Sequence, residues 1–337
     1  MEVYNRIIIS RTDSIGDVIL TLPVAGLLKR KLPDCEIIFM GRSYTHDVIM
    51  ACEHIDRFLN WDDLRSGNES DAIRALQDIR ADLIIHVFPR REISSLAKKA
   101  GIPARLGTTN RLYHWYSCNK LVRLSRKKSE LHEAQLNLKL VESITGERNI
   151  AKNDIPTLYG LTRTESLSSE FLHLSDTPGN KIVLHPKSKG SAREWGIDNF
   201  IKLIDILPEE KFKIFISGTK EEGELIRNSG IFDADHVIDL TGKMSLQQLM
   251  SFIKSCDCLI AASTGPLHLA AALGTCAIGI YPPIKPMHPG RWAPIGEKAE
   301  FLVKEKKCND CRKQGPCHCM QDIRPEDVKK QILRISH

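Results

Sequence analysis

Short apolar runs recur along this chain, each separated from the next by a stretch of helical period. In the first half the runs are Ile7–Ser10, Glu36–Met40 and Ala81–Val87. In the second they are Lys181–His185, Phe212–Ser217, His236–Leu240, Cys258–Ala262 and Ala277–Ile280. The helical segments between them are Ile15–Lys31, Tyr44–Ala51, a stretch from about Asp71, Leu131–Thr145, Asp198–Ile206, Glu221–Asn228, Leu246–Lys254 and Pro266–Leu273. A final helix spans about Pro325–Leu333. Strands alternating with helices predict βαβ units, in which helices cover both faces of a parallel sheet. The pattern runs once, stops around Pro156, Gly160, Pro178 and Gly179, then restarts. The fold class expected is therefore α/β, with two doubly wound, Rossmann-like parallel-sheet domains facing a cleft. The expected division is a first domain over 1–155, a connection over 156–180 with a short helix at Glu165–Leu172, a second domain over 181–323, and a C-terminal helix in 324–337 that packs back on the first domain.

Composition excludes several other classes. Apolar residues make up 42% of the 337 and charged residues 27%, which is ordinary for a globular chain and far from collagen or disorder. The most apolar stretch, Cys256 to Tyr281, is interrupted by Ser263, Thr264, Gly265, Pro266, His268 and Gly274, so it reads as strand, turn, helix and strand rather than a membrane span. The isoleucine run before Arg11 is shorter than the ~7–15 apolar residues of a secretory leader. A cytoplasmic protein is expected. Cys35, Cys52, Cys118, Cys256, Cys258 and Cys276 sit mostly in apolar stretches and are expected to be buried thiols.

The net charge is +6, but it is unevenly placed. Residues 98–128 hold Lys98, Lys99, Arg105, Arg111, Lys120, Arg123, Arg126, Lys127 and Lys128, and no Asp or Glu. Such a patch calls for an anionic partner. Tyr113, His114, Trp115 and Tyr116 are interleaved with it. RNA binding is compatible with that mixture, but no nucleic-acid module signature accompanies it. An anionic glycolipid fits as well, with rings on sugar faces and cations on phosphates.

In doubly wound sheets ligands bind beyond the carboxyl ends of the strands. After the first strand come Arg11, Thr12, Asp13, Ser14, Ile15, Gly16 and Asp17. Asp13 and Ser14 are natural helix caps. Asp13 and Asp17 are four residues apart at a helix start, and a carboxylate there can act as a general base. In the second half, Lys187, Ser188, Lys189 and Arg193 surround Gly190 after a strand, a donor-rich loop suited to a diphosphate. Ser263-Thr264-Gly265-Pro266 follows another strand and opens a helix whose N–H groups and dipole favour an anion, with His268 one turn in. There is no Gly-x-Gly-x-x-Gly after a strand. Gly218 and Gly223 have the glycine spacing of a P-loop but are followed by Glu224-Leu225.

The run RTDSIGDVILTLP resembles the N-terminal signature of glycosyltransferase family 9, the ADP-heptose:lipopolysaccharide heptosyltransferases. His185–Trp195 resembles the family's phosphate loop, Ser217–Glu222 its Gly-x-x-x-Glu element, and Ser263–His268 its (Asp/Ser)-Thr-Gly-x-x-His element. Ser263 stands where members often carry Asp. The resemblance covers nearly the whole chain and implies the GT-B fold. It implies Asp13 as catalytic base, with Gly16, Asp17, Arg105, Arg111 and Arg123 toward the acceptor. It implies Ser188, Lys189, Arg193, Gly218, Glu222, Ser263, Thr264, Gly265, Pro266 and His268 toward an ADP-heptose-like donor, with Glu222 on ribose hydroxyls. Transfer is expected to invert the sugar and to require no cofactor, onto an anionic glycolipid acceptor at the inner membrane surface, with no nucleic acid involved. The other readings are a GT-B enzyme using another nucleotide sugar, transferase or epimerase, and a non-catalytic nucleotide- or RNA-binding protein.

Cys308, Cys311, Cys317 and Cys319, with His318, lie within twelve residues. They are either reduced thiols on a loop or a closed structural zinc site. Elemental analysis of the pure protein separates the two. The zinc site gives stoichiometric metal that a C308S/C311S variant lacks, and a metal-free protein removes it.

Overall fold

The computed structural model describes residues 4–285, 287–304 and 318–335. It divides into two units, Met1–Arg163 and Thr164–His337. In the first unit, β1 (Arg6–Ser10), β2 (Glu36–Gly41), β3 (Arg57–Asn60), β4 (Leu83–His86), β5 (Ala104–Thr108) and β6 (Lys120–Val122) form one sheet in the order β3-β2-β1-β4-β5-β6. In the second, β7 (Asn180–His185), β8 (Phe212–Ile216), β9 (Val237–Asp239), β10 (Cys258–Ala262), β11 (Cys276–Tyr281) and β12 (Ala299–Val303) form another, in the order β12-β11-β10-β7-β8-β9. Every pairing is parallel. Counted from its own first strand, each sheet has the same dinucleotide-fold order. The order reverses between β1 and β4 and between β7 and β10, and it is beyond those strand ends that such sheets bind ligands.

The central strands are those that alternation predicts, because they are apolar throughout. β4 and β10 are buried at every position. The strands that pattern reading passes over lie at or near sheet edges. β3, β6 and β12 are only partly covered, so their sequences carry no continuous apolar run. The expected helix Ile15–Lys31 is two helices, Ile15–Ile19 and Leu22–Lys31. Pro23 has no N–H to give the carbonyl one turn back. The buried Asn137 fills the break, donating to the Leu20 carbonyl at 3.0 Å and to Thr21 Oγ1 at 3.2 Å.

The expected connection over 156–180 is divided between the units. Leu161 bridges to Cys52 and the Arg163 amide donates to the Ala51 carbonyl, which ties that stretch to the first unit. The helix Ser169–Ser175 belongs to the second, where Phe171 meets Phe252 edge-on at 6.5 Å. The C-terminal helix Pro325–Ile335 also differs from expectation. It packs against the helix Ile197–Ile206, and Val328 and Ile332 join the second unit's core beside Phe200 and Leu203. Its apolar stripe is thus covered by the second unit's own core. Trp195 anchors the same region, fully buried, with its indole N–H donating to the Ile323 carbonyl at 2.8 Å.

Gly26 marks the closest approach in the first unit. A Cβ there would lie 2.2 Å from the Leu158 carbonyl oxygen. Alanine in a helix gains about 1 kcal/mol over glycine, but overpacking against backbone costs about 1–3 kcal/mol. G26A is therefore expected to lower stability in urea unfolding, against the trend of helix propensity.

Candidate functional site

The end of β1 delivers a buried cation to a pair of acids. Arg11 is 3% exposed. Its Nε lies 2.7 Å from Asp13 Oδ1, one terminal nitrogen pairs with Asp17 Oδ1, and the other lies 3.5 Å from Glu133 Oε1. Glu133 opens the helix Glu133–Lys139 and is itself paired with Arg126 Nε at 2.8 Å. Arg126 continues to Asn137 Oδ1 at 2.8 Å and to the Val87 carbonyl at 3.2 Å, beyond β4. The backbone around Asp13 is held from two further sides. Arg90 binds the Thr12 hydroxyl and carbonyl at 2.6 and 3.1 Å, and the Tyr44 hydroxyl donates to the Asp13 carbonyl at 2.6 Å.

Ser14, not Asp13, is the cap of the helix Ile15–Ile19. Its hydroxyl also donates to Asp17 Oδ2 at 2.6 Å. The Asp13 carboxylate is therefore left to pair with Arg11 and remains partly exposed. Burial, with the neighbouring Asp17, outweighs Arg11 and pushes the Asp13 pKa up to about 6. Burial works against the Arg11 charge as well, but Asp17, Asp13 and Glu133 together overcome it and hold the guanidinium firmly protonated. Gly16 is buried in the helix between the acids.

The second unit places donors at its own switch point. The loop after β7 turns through two consecutive left-handed residues, Lys189 at φ 47° and Gly190 at φ 78°. Ser188 was expected to donate to a phosphate. It is 5% exposed, and its amide and hydroxyl both lie 3.0 Å from Glu194 Oε1. Lys187 pairs with the other oxygen of Glu194. Ser188 in this structure shapes the loop, and Glu194 is the residue that sequence reading overlooked. Its one signal was an acid standing alone in a basic loop. Lys189 and Arg193 remain as the cations of that loop, Lys189 60% exposed and 4.0 Å from Glu221.

Glu222 also has a structural task. With Thr219 it forms a capping box at the start of the helix Lys220–Ile226: Thr219 N donates to Glu222 Oε2 at 2.8 Å, and Glu222 N to Thr219 Oγ1 at 3.3 Å. Its Oε1 takes no part in that capping box. Gly218 lies just before this helix, and a Cβ on it would meet Glu222 and Thr241 at ordinary contact distance. Beside it His185 is buried, its pKa lowered by that burial, with Nδ1 3.0 Å from Ser217 Oγ.

Beyond β10, Ser263 lies within hydrogen-bonding reach of the buried Tyr281 hydroxyl. Thr264 caps the helix Gly265–Ala272 by position only. Its side chain makes no cap bond, and among the described residues its buried Oγ1 has no hydrogen-bond partner. Gly265 and Pro266 form the first turn, and His268 follows at 4% exposure. A buried unsatisfied hydroxyl costs about 1–3 kcal/mol, and a helix start with a spare donor can receive a group that accepts hydrogen bonds.

The basic segment divides. Arg105 donates to the carbonyls of Ser117 at 2.7 Å, Pro103 at 3.4 Å and Ile102, which occupies it within the sheet end rather than at an acceptor. Lys99 pairs with Glu69 and Arg126 with Glu133. Arg111 and Arg123 are exposed. Cys308, Cys311 and Cys317 lie outside the described residues, and Cys319 is buried in the second unit's core. Among the described residues no helix is long and apolar enough to cross a membrane.

Two units with this strand order and these strand-end sites define the GT-B fold, and solved structures agree. An ADP-heptose lipopolysaccharide heptosyltransferase II of Escherichia coli superposes with a TM-score of 0.76 at 16% identity, over 98% of this chain and 100% of that one. A family 9 glycosyl transferase of Veillonella parvula superposes with 0.79 at 20% identity, over 99% of both. The model of glycosyltransferase family 9 (heptosyltransferase) matches residues 71–320, and the chain belongs to that family. It is 27% identical over 308 residues to a Haemophilus influenzae protein provisionally named a glycosyltransferase, covering 88% of each. It is 22% identical over 285 residues to lipopolysaccharide heptosyltransferase 3 of Escherichia coli K12, covering 79% of each.

Glu133→Gln removes one of the three carboxylates that share Arg11. With one fewer negative charge on Arg11 the guanidinium pulls harder on Asp13, and the Asp13 pKa is expected to fall below about 6, while burial keeps it above the ordinary carboxylate range. A carbon-13 NMR titration of the Asp13 carboxyl measures this. An unmoved titration would mean that Glu133 is not coupled to the acid pair.

Proposed function

We propose that this glycosyltransferase moves heptose from ADP-heptose onto an anionic lipopolysaccharide-core acceptor, with inversion at the anomeric carbon and without a metal ion. The observation that carries the reading is the opposite chemistry at the two switch points. The first sheet ends in carboxylates gathered on Arg11. The second ends in a cationic loop and a helix start with an unused hydroxyl. An acceptor alcohol needs a proton acceptor, and a nucleotide diphosphate needs donors and positive charge. The structure of Escherichia coli WaaC solved with ADP supports adenine nucleotide as the carrier. Relatives named as lipopolysaccharide heptosyltransferases support the acceptor class. Such an acceptor implies work on the cytoplasmic side of a membrane.

In the proposed reaction the diphosphate rests on the N–H groups and Thr264 hydroxyl at the start of the helix Gly265–Ala272, with Lys189 and Arg193 beside it. These groups stabilise the charge that grows on the leaving nucleotide, the task a metal performs in other transferases. The sugar passes through an oxocarbenium-like state. As the acceptor oxygen bonds to the anomeric carbon its proton becomes acidic, and Asp13 takes it. A pKa near 6 makes Asp13 a stronger base than an ordinary carboxylate while leaving it ionised at neutral pH. Asp17, held by Ser14 and Arg11, orients the pair. One displacement by the acceptor inverts the centre.

Asp13→Asn and Asp17→Asn, assayed separately for transfer and for thermal stabilisation by ADP, test the assignment. D13N is expected to keep the ADP-induced shift and lose turnover by roughly 100-fold or more. D17N is expected to lose less. The reverse order would move the base to Asp17. Wild-type turnover should fall as pH drops through about 6, where Asp13 becomes protonated. Stabilisation by UDP in place of ADP would overturn the donor.

A further inference from the structure

The turn at 112–117 is built inside out. The helix His114–Ser117 follows Arg111 and Leu112, and the amide of Trp115 donates to the Leu112 carbonyl at 3.1 Å. Leu112, Trp115 and Tyr116 stand at i, i+3 and i+4, on one face of a helical turn. They are 83%, 58% and 79% exposed. On the other face His114, Ser117 and Cys118 are buried. Three large apolar groups therefore point to solvent while a histidine, a serine and a thiol point inward.

This arrangement is held firmly. Trp115 Nε1 donates to the Thr109 carbonyl at 3.0 Å, and Ser117 Oγ to the Tyr113 carbonyl at 2.7 Å. Lys98 Nζ donates to the Tyr116 carbonyl at 2.7 Å. Beneath the turn, Thr108 N donates to His114 Nδ1 at 2.9 Å, and a Cβ on Gly107 would meet that nitrogen at 2.6 Å. The apolar face is thus displayed by a packed support.

We propose that this turn docks the protein on an anionic lipid bilayer. Tryptophan and tyrosine favour the interface between headgroups and acyl chains, where an amphipathic ring is half dry. Leu112 beside them suits the acyl boundary and offers nothing to a nucleic-acid base. The surrounding charge complements the lipid. Arg111 and Arg123 are exposed, the amide of Thr109 ties the turn to the carbonyl of Val122, next to Arg123, and 98–128 contains no acid. Basic residues near an anionic surface each strengthen attachment, and salt weakens it. The inference deepens the reading of a membrane-borne acceptor, yet its test reads binding alone. It can fail while sugar transfer stands, and hold where transfer fails.

The full-length protein is sedimented with vesicles of phosphatidylcholine alone or mixed with phosphatidylglycerol. Wild type is expected to bind the anionic vesicles, release as salt rises, and show a blue shift of tryptophan emission. Trp61 and Trp195 are buried, so a surface tryptophan carries the shift, and W115F is expected to lose most of it. L112S/Y116S is expected to weaken binding at least tenfold. R111E/R123E, which leaves the apolar face intact, is expected to weaken it by roughly fivefold or more per charge and to flatten the salt dependence. A wild type that stays in solution with both vesicles overturns the proposal, as does either double variant binding like wild type. Binding only when the vesicles carry lipopolysaccharide also overturns it, and assigns the rings to sugar.

Discussion

The first unit is organised around a guanidinium withdrawn from water. Taking one such ion into a protein interior costs several kcal/mol unless it is fully paired. Arg11 meets that condition with acids from three places: Asp13 on the turn after β1, Asp17 in the helix that follows, and Glu133 on a helix more than a hundred residues later. Removing a partner from a buried pair costs about 3–5 kcal/mol. The strand end, the helix start and the distant helix are therefore bound to one geometry. The same contacts set the chemistry. Burial, with Asp17 close by, outweighs Arg11, so Asp13 keeps proton affinity that a simple ion pair would remove.

The second unit achieves rigidity by satisfying donors locally and leaving a few unmet. Glu194 holds Lys187 and Ser188 and so fixes the loop after β7. Thr219 and Glu222 close the next helix start on themselves. Among the described residues Thr264 Oγ1, like His236 Nε2 and Gln247 Oε1 of the same unit, is buried without a hydrogen-bond partner. Most buried polar atoms in a folded protein find partners. What sets Thr264 apart is its place, at the amino end of a helix and at a sheet's switch point, where the proposed diphosphate would find a donor.

Sequence patterns read well where burial was complete and poorly where it was partial. β1, β4, β7 and β10 each carry a run of at least three buried apolar residues because helices cover both faces. β3, β6 and β12 are half-covered, and β5 carries Arg105 and Gly107 inside it, so no periodicity announced them. The break at Pro23 was readable from proline alone, but the side chain that makes it affordable, Asn137, comes from elsewhere in the fold. The C-terminal helix has an apolar stripe in any reading. Which surface it covers depends on where Phe200 and Leu203 are.

The residue types at the strand ends were set by the chain itself: acids after the first strand, cations after the seventh, and a Thr-Gly-Pro helix start after the tenth. Local chemistry and the repeat of βα units suffice for that much. Roles within each cluster were decided only in three dimensions, because they depend on which neighbour arrives first. Ser14 takes the cap and releases Asp13. Glu194 holds Ser188, and the carbonyls around Arg105 hold its guanidinium. Glu133 reaches Arg11 across 122 positions of sequence, a contact that no local pattern can encode.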